Sequence, residues 1–76
     1  AVLEPGCIFL PQAYVGADAH LGVGCIVNAG AIVDHNAHLG RGVHVAPGGI
    51  VKASAEVAEL GKVDSGEIVR SPWKNQ

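Results

Sequence analysis

Four histidines, His20, His35, His38 and His44, gather in the middle of a chain of 76 residues. An imidazole accepts a proton near neutral pH and also binds metals, so their spacing decides which chemistry is open to them. His20 and His38 are eighteen residues apart, and His44 follows six after His38. His35 sits in the run Val33-Asp34-His35-Asn36, next to one carboxylate and one amide. Two chemistries fit. His35 could act as a general base if a substrate reached it. His20 and His38 could each offer a nitrogen to one metal ion, with a third ligand from a neighbouring subunit. The plain alternative for the pair is that both are solvated surface histidines.

What positions these residues is a period of six that runs the length of the chain. Stepping by six from Leu3 meets Phe9, Val15, Leu21, Val27, Val33, Leu39, Val45, Val51, Val57, Val63 and Val69. Neither an amphipathic helix nor an alternating strand has this period, and a fixed period marks a repeat architecture. Four residues after each apolar position the side chain is small, as at Cys7, Ala13, Ala19, Cys25, Ala31 and Ala37, until Glu67. Three residues after it stand Gly6, Asp18, Gly24, Gly30, Asn36, Gly42, Gly48 and Gly66, types that tolerate positive φ.

Each hexad therefore reads as a short extended piece and a tight corner, with one large and one small side chain inward. Such a unit buries its apolar face only by stacking on copies of itself. The expected fold is all-β: a left-handed parallel β-helix, a triangular prism with three hexads per coil. Twelve hexads give four coils, roughly 19 Å tall at about 4.8 Å per strand. Left-handed crossovers run against the usual rule for parallel strands, but the chain has no crossover long enough for a helix. A sandwich or barrel would need turns at wider spacing than six. The repeat spans residues 1–70, with 71–76 as a cap or tail; Pro72 interrupts a strand and Trp73 is placed to cover the end of the core.

The column just before each large apolar residue points outward. On one prism face it reads Tyr14, Ile32, Ile50 and Ile68; on a second, Ile8, Ile26, His44 and Lys62; on the third, Val2, His20, His38 and Glu56. Four stacked large groups on one face read as an interface, and a prism with one apolar side packs around a threefold axis as a homotrimer. The alternative is that β-branched residues merely suit strands.

The net charge is −2 and the basic residues are dispersed, which does not suggest nucleic-acid binding. No apolar run is long enough to span a membrane as a helix. The chain opens at Ala1 already in register, which suggests a fragment or a processed chain. Cys7 and Cys25 share one inward column in adjacent coils, where parallel side chains would strain a disulfide. They read as buried reduced thiols, and a cytoplasmic location follows.

The stretch Val27-Asn28-Ala29-Gly30-Ala31-Ile32-Val33-Asp34-His35-Asn36, followed by Leu39-Gly40-Arg41-Gly42-Val43-His44-Val45-Ala46-Pro47-Gly48, resembles bacterial hexapeptide-repeat acyltransferases. It is most similar to their sialic-acid O-acetyltransferase and nucleotide-amino-sugar N-acetyltransferase branch. The resemblance implies acetyl transfer from acetyl-CoA to an amino or hydroxyl group of a sugar or nucleotide sugar, with no metal. It makes His35 the general base, Asp34 a residue that orients or activates it, and His44 a second active-site histidine. It implies that backbone N–H groups around Pro47, Gly48 and Gly49 hold the thioester oxygen. Lys52 and Arg70, one coil apart, could receive the cofactor's phosphates; the alternative is a solvated pair, with Lys52 on Asp34. The family often has an acidic residue where this chain has Asn36. It also usually carries an N-terminal nucleotide-fold domain and several more coils.

Two other readings stay open. One is a catalytically incomplete trimeric module for binding or assembly. The other is a zinc enzyme similar to the γ-class carbonic anhydrases, whose three-histidine spacing His20, His35, His38 and His44 do not reproduce.

Overall fold

The computed structural model describes residues 1–70 and the backbone of Trp73–Lys74. Among these the chain is all-β, a run of two-residue strands joined by four-residue corners. The hexads make a parallel β-helix with three faces. The first face stacks β1 (Val2–Leu3), β4 (His20–Leu21), β7 (His38–Leu39), β10 (Glu56–Val57) and β13 (Trp73–Lys74). The second stacks β2 (Ile8–Phe9), β5 (Ile26–Val27), β8 (His44–Val45) and β11 (Lys62–Val63). The third stacks β3 (Tyr14–Val15), β6 (Ile32–Val33), β9 (Ile50–Val51) and β12 (Ile68–Val69). The molecule measures 24 × 22 × 21 Å. The expected roles of Pro72 and of the Trp73 side chain lie outside the described residues.

Register follows the sequence period. Val2 pairs with His20, His20 with His38, and His38 with Glu56, so the outward columns expected from the sequence are the columns observed. The inward large residues Leu21, Val27, Val33, Val45, Val51 and Val63 are fully buried along the axis, and Ala19, Cys25, Ala31, Ala37 and Ala55 fill the corners between them. Alternating one branched and one small group lets consecutive coils close without voids. The Cys7 and Cys25 thiols are free, and each donates to a carbonyl of the next coil, at Gly22 (3.3 Å) and Gly40 (3.1 Å). Burial pushes the Cys25 thiol pKa up.

Two sets of hydrogen bonds join the coils, and they run in opposite directions. The first N–H of each strand from β1 to β9 donates forward, as from Val2 to the Ala19 carbonyl (2.8 Å) and Tyr14 to Ala31 (2.9 Å). At the corners from Gly24 to Leu60 one N–H donates backward, as from Gly24 to Pro5 (3.0 Å) and Leu60 to Arg41 (2.8 Å). The residue that turns backward is always in the left-handed region (Gly24, Gly30, Asn36, Gly42, Gly48, Ser54 and Leu60), and Gly6, Gln12, Asp18 and Gly66 share that backbone conformation. It is the third residue of a β-turn, where type II turns need positive φ, with Pro5, Pro11 and Pro47 at the preceding position that favours proline. Gln12, Ser54 and Leu60 lack the usual residue types yet follow the column, because the stacked corners above and below impose it.

A different position demands absence of bulk. A Cβ at Gly22 would lie 2.7 Å from the Arg41 backbone nitrogen, and one at Gly40 would lie 2.7 Å from that of Glu59. Among the described residues no helix is long and apolar enough to cross a membrane.

Gly22→Ala is expected to lower unfolding stability by about 1–3 kcal/mol, since backbone of the next coil has to move. Leu60→Gly is expected to raise it by about 1 kcal/mol, because an L side chain at φ 62 is strained and this one is 60% exposed. Thermal or urea unfolding of the two variants checks both signs.

Candidate functional site

The corner between the third and first faces carries most of the residues singled out for chemistry. It stacks Gly16, Asp34, Lys52 and Arg70 at the first corner position, with Ala17, His35 and Ala53 beside them and Asp18, Asn36 and Ser54 after. Asp34, His35, Lys52 and Arg70 therefore share one edge of the prism. His44 does not share it: it stands on β8 of the second face, between Ile26 and Lys62. Gly48 and Gly49 lie at the corner between the second and third faces. The apolar stripe of the third face separates the two groups. Its end members are exposed, Tyr14 at 54% and Ile68 at 42%, while Ile32 and Ile50 are half-buried.

The His35 corner is tightly specified. The Asp34 Oδ1 accepts from the His35 backbone N–H at 2.7 Å, the short-range pattern by which Asp stabilises turns. Ser54 donates its N–H to the His35 carbonyl at 3.1 Å, and Asn36 donates to Ala17 at 3.0 Å. The ring's Nδ1 lies 3.0 Å from the Asn36 Oδ1. The exposed imidazole is thus oriented by Asn36, while the Asp34 carboxylate is engaged on the backbone. Asp34 is in no ion pair with Lys52; among the described residues the ion pairs are His20 with Glu4 and Arg41 with Glu59.

Gly16 is a residue of this corner that sequence reasoning missed. A Cβ there would lie 2.6 Å from the His35 backbone nitrogen and 3.0 Å from the Asp34 carbonyl carbon. The signal available was its position, one coil before Asp34, together with a glycine where most corners carry a side chain.

The corner expected to hold the thioester oxygen has its own hydrogen-bond pattern. Pro47 has no N–H. The Gly48 N–H turns back to the Ala29 carbonyl at 3.1 Å, and the Gly49 N–H closes its own turn on Ala46 at 2.9 Å. Both donors are spent on the fold, and Gly49 is buried, with a hypothetical Cβ 3.0 Å from Val45. Gly48 has open space where a Cβ would be, so it could admit close approach of a ligand but not a hydrogen bond from its N–H. The His44 Nε2 is buried and lacks a hydrogen-bond partner in the single chain.

The first face holds the other two histidines. The His20 and His38 rings meet edge to face with centroids 5.6 Å apart, and the His20 Nε2 is 3.0 Å from the Glu4 Oε2. They line a groove of about 470 Å³ with Glu56 and Glu59, whose corner side is open because Gly22 and Gly40 carry no side chains. Among the described residues no three His, Cys, Asp or Glu side chains converge as metal ligands do. The Glu4–His20 pair is two-fifths exposed on both sides, which keeps its contribution small. No protein-family model and no curated protein matches this chain.

Gly16→Ala is expected to lower stability by about 1–3 kcal/mol and to shift the His35 ring resonances in an NMR spectrum, because the added methyl displaces the turn that carries the ring. Unmoved resonances would mean that the strain is absorbed elsewhere.

Proposed function

We propose that this chain is an acetyl-CoA-dependent acetyltransferase domain acting on an amino or hydroxyl group of a sugar or nucleotide sugar, with His35 as general base. The observation that carries the reading is the exposed His35 ring at a hydrogen-bonded corner, its Nδ1 3.0 Å from the Asn36 Oδ1. In the reaction the acceptor nitrogen or oxygen attacks the thioester carbonyl carbon. A C–N or C–O bond forms and the C–S bond breaks. The acceptor proton passes to the His35 Nε2, and a proton reaches the departing sulfur to give the CoA thiol. Holding the two reactants together would supply much of the rate. Lys52 and Arg70, exposed in the next two coils of the same edge, are suited to the cofactor's phosphates.

The reading includes a homotrimer. The third-face stripe of Tyr14, Ile32, Ile50 and Ile68 adjoins the His35 edge, so burying it against a second copy would put His35 in a cleft between subunits. A trimer would also let His44 of one copy approach His35 of another, which the single chain does not allow.

A second reading is a binding or assembly module without catalysis. It is favoured by the commitment of the Gly48 and Gly49 N–H groups to the fold, which leaves no oxyanion donor at that corner.

His35→Ala is expected to abolish acetyl transfer and to leave assembly intact; undiminished transfer would refute the base. Ile50→Glu is expected to convert a trimer to monomer in solution-mass measurements, by burying an unpaired charge. Calorimetry with acetyl-CoA separates the two readings. Binding near three sites per trimer supports the transferase, and an intact trimer that does not bind supports the module.

A further inference from the structure

We infer that Asn36 is a positioning residue that fixes His35 in one neutral tautomer without placing a negative charge against it; the catalytic part of this inference rests on the general-base reading above. Two observations meet at Asn36. Its backbone is left-handed, at φ 59, as every corner of the prism requires. Its side-chain oxygen lies 3.0 Å from the His35 Nδ1. Asparagine tolerates the left-handed region better than most residues, and its amide oxygen only accepts hydrogen bonds. The ring must therefore carry its proton on Nδ1, which leaves the Nε2 lone pair free. One residue serves the turn and the tautomer together.

The backbone beneath the ring is held from three sides, so the contact does not depend on a mobile loop. Asp34 accepts from the His35 N–H, Ser54 donates to the His35 carbonyl, and Asn36 donates to Ala17. The charged groups of this edge are Asp18, Asp34, Lys52 and Arg70. Two are acidic and two basic, and Asp34 is engaged on the backbone. The group touching the ring is neutral. A carboxylate at position 36 would instead favour the imidazolium and hold the base protonated to higher pH. Asn36 thus orients the ring with a neutral group.

The test compares the wild-type chain with Asn36→Gly and Asn36→Asp. Glycine keeps the corner at ease in the left-handed region and deletes the ring's partner, so the fold is retained while the orienting contact is lost. Nitrogen-15 NMR of the free protein reads the His35 tautomer and its protonation midpoint. The wild type is expected to be in the Nδ1–H form, Asn36→Gly to lose that bias while folded, and Asn36→Asp to raise the midpoint by about one pH unit. With acetyl-CoA and UDP-glucosamine as probes, the acidic limb of kcat/KM is expected to move up with the midpoint. On that limb the Asp variant is then about tenfold slower than wild type. An Nε2–H tautomer in the wild type, an unchanged tautomer in Asn36→Gly, or an unmoved midpoint in Asn36→Asp would each overturn the positioning role. The expected NMR results without acetyl transfer by the wild type would overturn the general-base reading and the catalytic part of this inference, and would leave the ring-orienting contact standing.

Discussion

The corner N–H that points backward is the constraint on which this molecule depends. The strand ladders join neighbouring coils along the three faces, and a prism built from them alone would leave its corners unjoined. From Gly24 to Leu60, one left-handed residue per corner donates its N–H to the turn one coil before and ties the two together. The cost is a strained backbone wherever the residue is not glycine, and the chain carries that strain at Gln12, Ser54 and Leu60 as well as at the better-suited Asp18 and Asn36. The return is an edge whose positions are fixed without loops. His35 stands on such an edge, and its carbonyl is itself the acceptor for the backward bond from Ser54.

The same constraint explains what each corner can do chemically. A backbone N–H used for stacking is not available to a ligand. At Gly48 and Gly49 both N–H groups are engaged in this way, on Ala29 and Ala46. Side chains at the corners are not so committed. Lys52 and Arg70 are exposed, His35 presents its ring outward, and Asp34 stabilises the turn that supports it.

The period of six was enough to read the architecture, because large side chains from Leu21 to Val69 have only one buried direction and stack without interruption. The three outward columns followed from arithmetic once three hexads per coil were taken. Other features were not legible. Leu60 gives no sign in its own chemistry of a left-handed backbone; neighbouring coils impose it. The role of Asn36 was hidden, since a sequence does not say whether its oxygen reaches a ring or water. The engagement of Asp34 with a backbone N–H is equally invisible, and so is the close approach at Gly16, which depends on the exact height of the next coil. Composition drew attention to His20 and His38 as readily as to His35. Only geometry separates a pair that faces each other in an open groove from a ring held by its neighbour.

Because the prism is a stack, each coil has only the coil above and the coil below for support, and cooperativity passes along one dimension. Leu21 and Val27, with a coil on both sides, are sealed. The His35 turn belongs to the second coil, with Ala17 bonded on one side and Ser54 on the other. Bonds from both neighbouring coils meet at this turn, so the ring's footing is held from above and below.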